Sequence, residues 1–288
     1  MTSPATTRPR APWLVVLVVT LIVGALAACG DTVETTPLPD GIVMHIDQSR
    51  VERKGREVFL RVENGTTGPV TIEAFELTSP RFADVSWSGD DEIGPTYETD
   101  LEFDLPTGRC GTDVDAQVVL TYRVGDGGLR RSTGSADDPY GSAALLADRD
   151  CAETTLRNAA DLDVGTPEVT GTGRGSVLRV PVTLSPTGGS ADVRFTGFGS
   201  TVLFRQTDDS ATDVSVPLTA GSPPTTQIMS VVPARCDPHA LAEDKVGTLF
   251  GVAVAAPGLA AGSSFFLPLT KIQRSAFFTF FRTHCGLD

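Results

Sequence analysis

Beyond residue 41 the chain breaks into short runs in which apolar and polar side chains alternate. Val58, Leu60 and Val62 alternate with Phe59, Arg61 and Glu63, and Val70, Ile72 and Ala74 follow the turn-like NGTTGP. Leu101, Phe103 and Leu105 alternate with Asp100, Glu102 and Asp104, and Val118, Leu120, Tyr122 and Val124 continue the pattern. A period of two puts one side chain in every pair on a buried face, so each run reads as a half-buried strand. Gly, Pro, Asn and Asp clusters between the runs supply the turns.

The series then starts again. Leu178, Val180, Val182 and Leu184 precede SPTGGS, as Val58 to Val62 precede NGTTGP, and Val193 to Phe198 spans the same five positions as Val70 to Phe75. Thr226, Ile228, Ser230 and Val232 lead into Pro-Ala-Arg-Cys236, as Leu101 to Leu105 lead into Pro-Thr-Gly-Arg-Cys110. Phe250, Val252 and Val254 stand for Leu120, Tyr122 and Val124. Each copy then closes on a cysteine, SAALLADRDC at Cys151 and SAFFTFFRTHC at Cys285. The pattern predicts a mainly all-β protein of two tandem antiparallel β-sandwich domains of immunoglobulin-like size, residues 41–158 and 159–288. Neither copy has the Cys…Trp…Cys spacing of antibody domains. The segment before each final cysteine also reads as a short helix, with Leu145/Leu146 and Phe280/Phe281 on its buried side.

Residues 1–28 differ. Arg8 and Arg10 precede an apolar run from Ala11 to Ala28, the layout of a secretory signal peptide. A retained signal anchor is the other reading, since the run approaches spanning length. Leu26-Ala27-Ala28-Cys29 resembles the lipobox of bacterial lipoproteins. That resemblance implies cleavage before Cys29 and acyl chains such as palmitate on the new N-terminal cysteine. It further implies a lipid anchor on the extracytoplasmic face of the cell membrane, because two or more buried chains hold stably. It covers the first thirty residues and says nothing of the body. Residues 29–40, rich in Thr and Pro, read as a tether.

The formal charge is −13, and loss of Arg8 and Arg10 takes it to −15. So acidic a chain repels phosphate backbones, which excludes nucleic acid as an expected partner. Cys29 aside, four cysteines remain, two per copy. Outside the cytoplasm an even set reads as disulfides, and the repeat selects Cys110 with Cys151 and Cys236 with Cys285. Thiol exchange usually needs close spacing such as C-x-x-C, which neither copy has.

Little else carries chemistry. His45, His239 and His284 have no metal-site spacing, and there is no G-x-S-x-G elbow. GTGRGS at 171–176 precedes a strand rather than the helix a phosphate loop needs. Asp90, Asp91 and Glu92 are assigned to a loop, with Glu98, Asp100, Glu102 and Asp104 on one strand face. They form either a solvated face or a calcium or carboxylate-pair site. Copy two places Thr225, Gln227, Met229 and Val231 where those strand acids stand. Phe277, Phe278, Phe280 and Phe281 form either core or an exposed partner surface. The expectation is a non-enzymatic binding or envelope-assembly lipoprotein needing no cofactor. It would be held to the membrane through Cys29 and contact an envelope protein or glycan. The alternative is an extracytoplasmic enzyme or calcium-dependent binder built on the acids of domain one.

Overall fold

A computed structural model of the protein describes residues 35–111, 115–189, 192–242 and 246–287. The signal peptide, the lipobox with Cys29 and the first part of the tether lie outside the described residues.

The first half folds as two facing antiparallel sheets. Its strands are β1 (Thr36–Pro37), β2 (Ile42–Asp47), β3 (Glu57–Asn64), β4 (Val70–Thr78), β5 (Val85–Ile93), β6 (Glu98–Asp104), β7 (Ala116–Val124) and β8 (Arg130–Ala136). One sheet runs β2-β3-β6; the other runs β1-β8-β7-β4-β5, with the short β1 added in parallel at the edge. Helix α1 (Ser142–Ala159) follows.

The second half repeats this order. It contains β9 (Ala160–Val164), β10 (Glu168–Thr170), a 3-10 turn at Gly173–Gly175, β11 (Val177–Pro186), β12 (Arg194–Phe198), β13 (Phe204–Gln206), β14 (Val216–Pro217) and β15 (Thr225–Pro233). The short helix α2 (Pro238–Ala242), β16 (Gly251–Ala255), β17 (Ser264–Phe266) and helix α3 (Lys271–Cys285) complete it. The sheet β17-β16-β12-β14 matches β8-β7-β4-β5, and β9-β11-β15 matches β2-β3-β6. Even the irregularities coincide: β4 bulges between Ile72 and Ala74, and β12 between Phe195 and Gly197, at the same step of the repeat. Gly197 sits there at φ 135°, and a Cβ would lie 3.0 Å from the Ala211 carbonyl oxygen, so only glycine fits without strain.

Alternation set the strand faces wherever polar residues mark the outside. Val58, Leu60, Val62, Leu101 and Phe103 are buried in the first sandwich, and Leu178, Val180, Val182 and Leu184 in the second. Two readings need correction. The bulge in β4 turns Ala74 away from full burial and brings Phe75 and Leu77 inward. In β15 the inward residues include Met229 and Val231, paired with Val180 and Leu178, so they are not the counterparts of the outward acids of β6. The sequence around Met229 is apolar on both faces because the segment before β14 covers the outer one. Ala211 N–H donates to the Ile228 carbonyl, and Ser210 Oγ accepts from Ser230 N–H.

Each sandwich has its own core. One runs from Ile42 to Ala147, the other from Ala152 to Cys285. Both borrow from α1, whose first half supplies Ala143, Leu146 and Ala147 to the first core. Its second half supplies Ala152, Leu156 and Ala159 to the second. The closing segment is therefore a helix, with Leu146 buried as its helical reading expects, but Leu145 is exposed and the helix does not end at Cys151. No breaker stands between Ser142 and Ala159, and good helix formers such as Ala, Leu, Arg and Glu carry it on.

Candidate functional site

Both disulfides join the cysteines of one copy: Cys110 to Cys151 and Cys236 to Cys285, with Cα separations of 5.6 and 5.2 Å. Such bonds fit an oxidising, extracytoplasmic compartment. Each ties the end of a strand to its helix. In LPTGRC the missing side chain of Gly108 matters, since a Cβ there would meet Ala147 of α1 at 2.8 Å. Arg109 and Arg235 are exposed beside their bonded cysteines.

A second tie differs between the copies. In the first, Arg56 pairs with Asp150 of α1 at 2.8 Å, and Asp150 also accepts from the Gly108 N–H at 2.8 Å. At the corresponding place in the second, His284 of α3 donates from Nδ1 to the Ser176 carbonyl at 3.1 Å and packs on Phe280. Burial is the main cause that holds the His284 pKa below 6.5, reinforced by Arg174 and Arg205; the Ser176 bond opposes it. A base with a lowered folded-state pKa stabilises the fold fully above about pH 6.5 and loses that contribution as pH falls through the folded value. Stability should thus drop as pH falls below about 6.5 by more in the native chain than in a His284→Gln variant, as read from urea midpoints.

The aromatic run of α3 does not form a partner surface. Phe277, Phe280 and Phe281 are buried and Phe278 is half-buried. Phe277 packs on Phe204 and Phe250 with centroids 5.5 and 4.9 Å away, and Phe281 meets Phe204 edge-on. Their helical spacing puts three rings on the inward side, where burial of each contributes about 1.5–3 kcal/mol.

The acids are dispersed. Asp90, Asp91 and Glu92 belong to strand β5 rather than to a loop. Glu98, Asp100, Glu102 and Asp104 line the exposed face of β6, and Arg61 spans two of them, 3.0 Å from Glu98 and 2.6 Å from Asp100. Glu57 has its carboxyl pushed upward, first by partial loss of water and then by Glu102, Glu52 and Asp104. Among the described residues, no three His, Cys, Asp or Glu side chains converge as metal ligands would. His45 lies 3.7 Å from Glu63, and His239 is exposed on α2, so neither joins His284.

Two concavities stand out instead. The first is the seam between the sandwiches, where β17 lies against α1. Arg149 of α1 stacks over the Phe266 ring at 4.6 Å and donates to the carbonyls of Arg53 at 2.7 Å and Gly55 at 3.3 Å. Burial lowers its pKa, although a guanidinium stays charged at neutral pH. What remains open between α1 and β17 is two clefts beside Phe266: one of about 240 Å³, bordered by Ser142, Leu145, Leu146, Arg149 and Ser264, and one of about 370 Å³, bordered by Arg56, Arg149, Asp150, Glu153 and Leu267. Alanine at Arg149 should cost about 2 kcal/mol through its lost carbonyl bonds and cation–π contact, and split a single calorimetric transition into two.

The second concavity is larger, about 820 Å³. It lies between α3 and the segment from Pro167 to Leu178, and its walls include Val169, Ile272, Ala276 and Phe280. Val169 and Ile272 are 55% and 84% exposed, so apolar side chains here meet water. No titratable side chain lines it; the polar atoms come from Ser, Thr and backbone. The cleft was not legible in advance, because GTGRGS reads only as a turn before a strand.

No protein-family model matches the chain. Nor does any curated protein match it. Among solved structures it is similar to red sea bream transglutaminase, with TM-score 0.26, 9% identity, 81% of this chain covered and 32% of that one. It is also similar to the Amycolatopsis orientalis exo-chitosanase CsxA, with TM-score 0.20, 14% identity, 78% of this chain and 26% of that one. The BSP domain of a biofilm-associated protein gives TM-score 0.23, 10% identity, 84% of this chain and 60% of that one. The chain spans about a third of the transglutaminase and a quarter of the chitosanase.

Proposed function

We propose that the protein is a membrane-anchored extracytoplasmic lipoprotein that acts without catalysis, as a binding or envelope-assembly module. The observation that carries the reading is the groove on α3, wide enough for a ligand yet lined by no group that could transfer a proton, act as a strong nucleophile or hold a metal. Two disulfides support an address outside the cytoplasm, and the Leu-Ala-Ala-Cys29 segment supports a lipid on that cysteine. No helix of the described residues is long and apolar enough to cross a membrane.

The reading is tested on intact cells by photo-crosslinking from residues on the faces of both sandwiches, with Cys29→Ala as the localisation control. The expected result is a defined crosslinked species from the native chain, lost when Cys29→Ala releases it from the membrane fraction. Uniform absence of crosslinks from every position would sink the binding role. Unchanged membrane retention of Cys29→Ala would sink the anchor.

A further inference from the structure

The repeat supplies an internal comparison for the α3 groove. Superposing the disulfide-bonded Cys151 on Cys285 sets α1 and α3 in register, and the buried residues then agree: Ala143, Leu146 and Ala147 match Phe277, Phe280 and Phe281. In that register Ser142, Leu145, Leu146 and Arg149, which border the seam, correspond to Ala276, Thr279, Phe280 and Thr283, which line the groove. The opposite walls correspond too, since the segment before β3 becomes the segment before β11. The groove on the second sandwich is therefore the same seat that, on the first, is occupied by the edge strand β17 with Phe266 under Arg149. Occupied, the seat is divided into two smaller clefts of about 240 and 370 Å³ beside Phe266; on α3 it is one groove of about 820 Å³.

We propose that the α3 groove is a docking seat for an edge strand of another envelope protein, one that presents an exposed aromatic side chain between acidic neighbours. This rests on the reading of the protein as a binding module and names its surface. The aromatic requirement comes from Phe266 in the filled seat. The acidic flanks come from charge: exposed Arg174, Lys271 and Arg282 adjoin the groove-lining residues in sequence, against one exposed acid, Glu168, on a chain whose net charge is −13. A second copy of this chain fits worse. Its matching edge would be β8, which already carries β1 along Ser132 and Thr133, and the segment there reads Leu129-Arg130-Arg131.

The test uses the full chain carrying Cys29→Ala and a fluorescein-labelled peptide of residues 261–269, AGSSFFLPL, extended by two aspartates at each end. The expected result is saturable binding that weakens about tenfold when Thr279→Arg fills the groove, and by a similar factor when the peptide carries lysines instead. Leu145→Arg, beside the filled seat, should leave peptide affinity unchanged. Thr279 is exposed, so an unaltered melting temperature should accompany its substitution. No saturable binding, or binding indifferent to Thr279→Arg, would overturn the seat while leaving the crosslinking result intact. Sedimentation showing self-association that Thr279→Arg abolishes would hand the groove to a second copy and overturn the proposal as well.

Discussion

Alanine at Phe277 should destabilise the chain by about 3–5 kcal/mol, the range for emptying a ring from a closed core. The ring is fully buried and wedged between Phe204 of β13 and Phe250 just before β16, which belong to opposite sheets of the second sandwich. Its loss opens a void that neither sheet can close, because each is pinned by its own strand pairing. Chemical denaturation followed by tryptophan and circular dichroism signals separates the outcomes. The sandwich that unfolds early should be the second, while Trp87, stacked on Phe75 in the first, reports a later transition. A change below about 1 kcal/mol would mean that the ring is not wedged as described. Phe278→Ala, only half-buried on the same helix, should cost clearly less.

Replacing Cys236 and Cys285 together by serine should lower stability by about 4 kcal/mol, since the bond closes a loop of 49 residues in the denatured chain. At this size that corresponds to a fall of about 10 °C in melting temperature. The same substitution at Cys110 and Cys151, with a separation of 41, should cost about as much in entropy. The two should differ in what comes loose. Without the first bond α1 is still held by Arg56–Asp150 and by its burial in both cores, whereas without the second bond α3 keeps its packing, the His284 bond and, at its opposite end, the bonds of Gln273 to the Val164 and Gly165 carbonyls, all within one sandwich. Hydrogen exchange on α3 should therefore accelerate more than on α1. Equal protection of both helices after either substitution would refute that difference.

How much of this was legible in the sequence depended on contrast between neighbours. Leu101, Phe103 and Leu105 among acids give one answer, and the structure buries them all. At Ile228 to Val232 no polar residue marks the outside apart from Ser230, and that serine is itself buried under a covering segment, so the register came out inverted. A bulge adds a residue without any hydropathy signal, so strict alternation puts Ala74 inward where the structure buries Phe75. Cysteine pairing was readable because repetition leaves one arrangement that closes each copy on itself. The groove was not, because its walls come from a glycine-rich turn and a helix more than 90 residues later, joined only in three dimensions.

The continuous helix between the sandwiches also bears on how the protein is made. Synthesis delivers the chain from its N-terminus, so the first sandwich can assemble while the second is still emerging. Ala152, Leu156 and Ala159 then stand on the far half of α1, with β9 packed against the helix at once but β16 and β17 arriving only about ninety residues later. For that interval the first sandwich carries a sticky spur. Its completion waits on its successor, which makes the two halves one folding unit in time although they are two sandwiches in space.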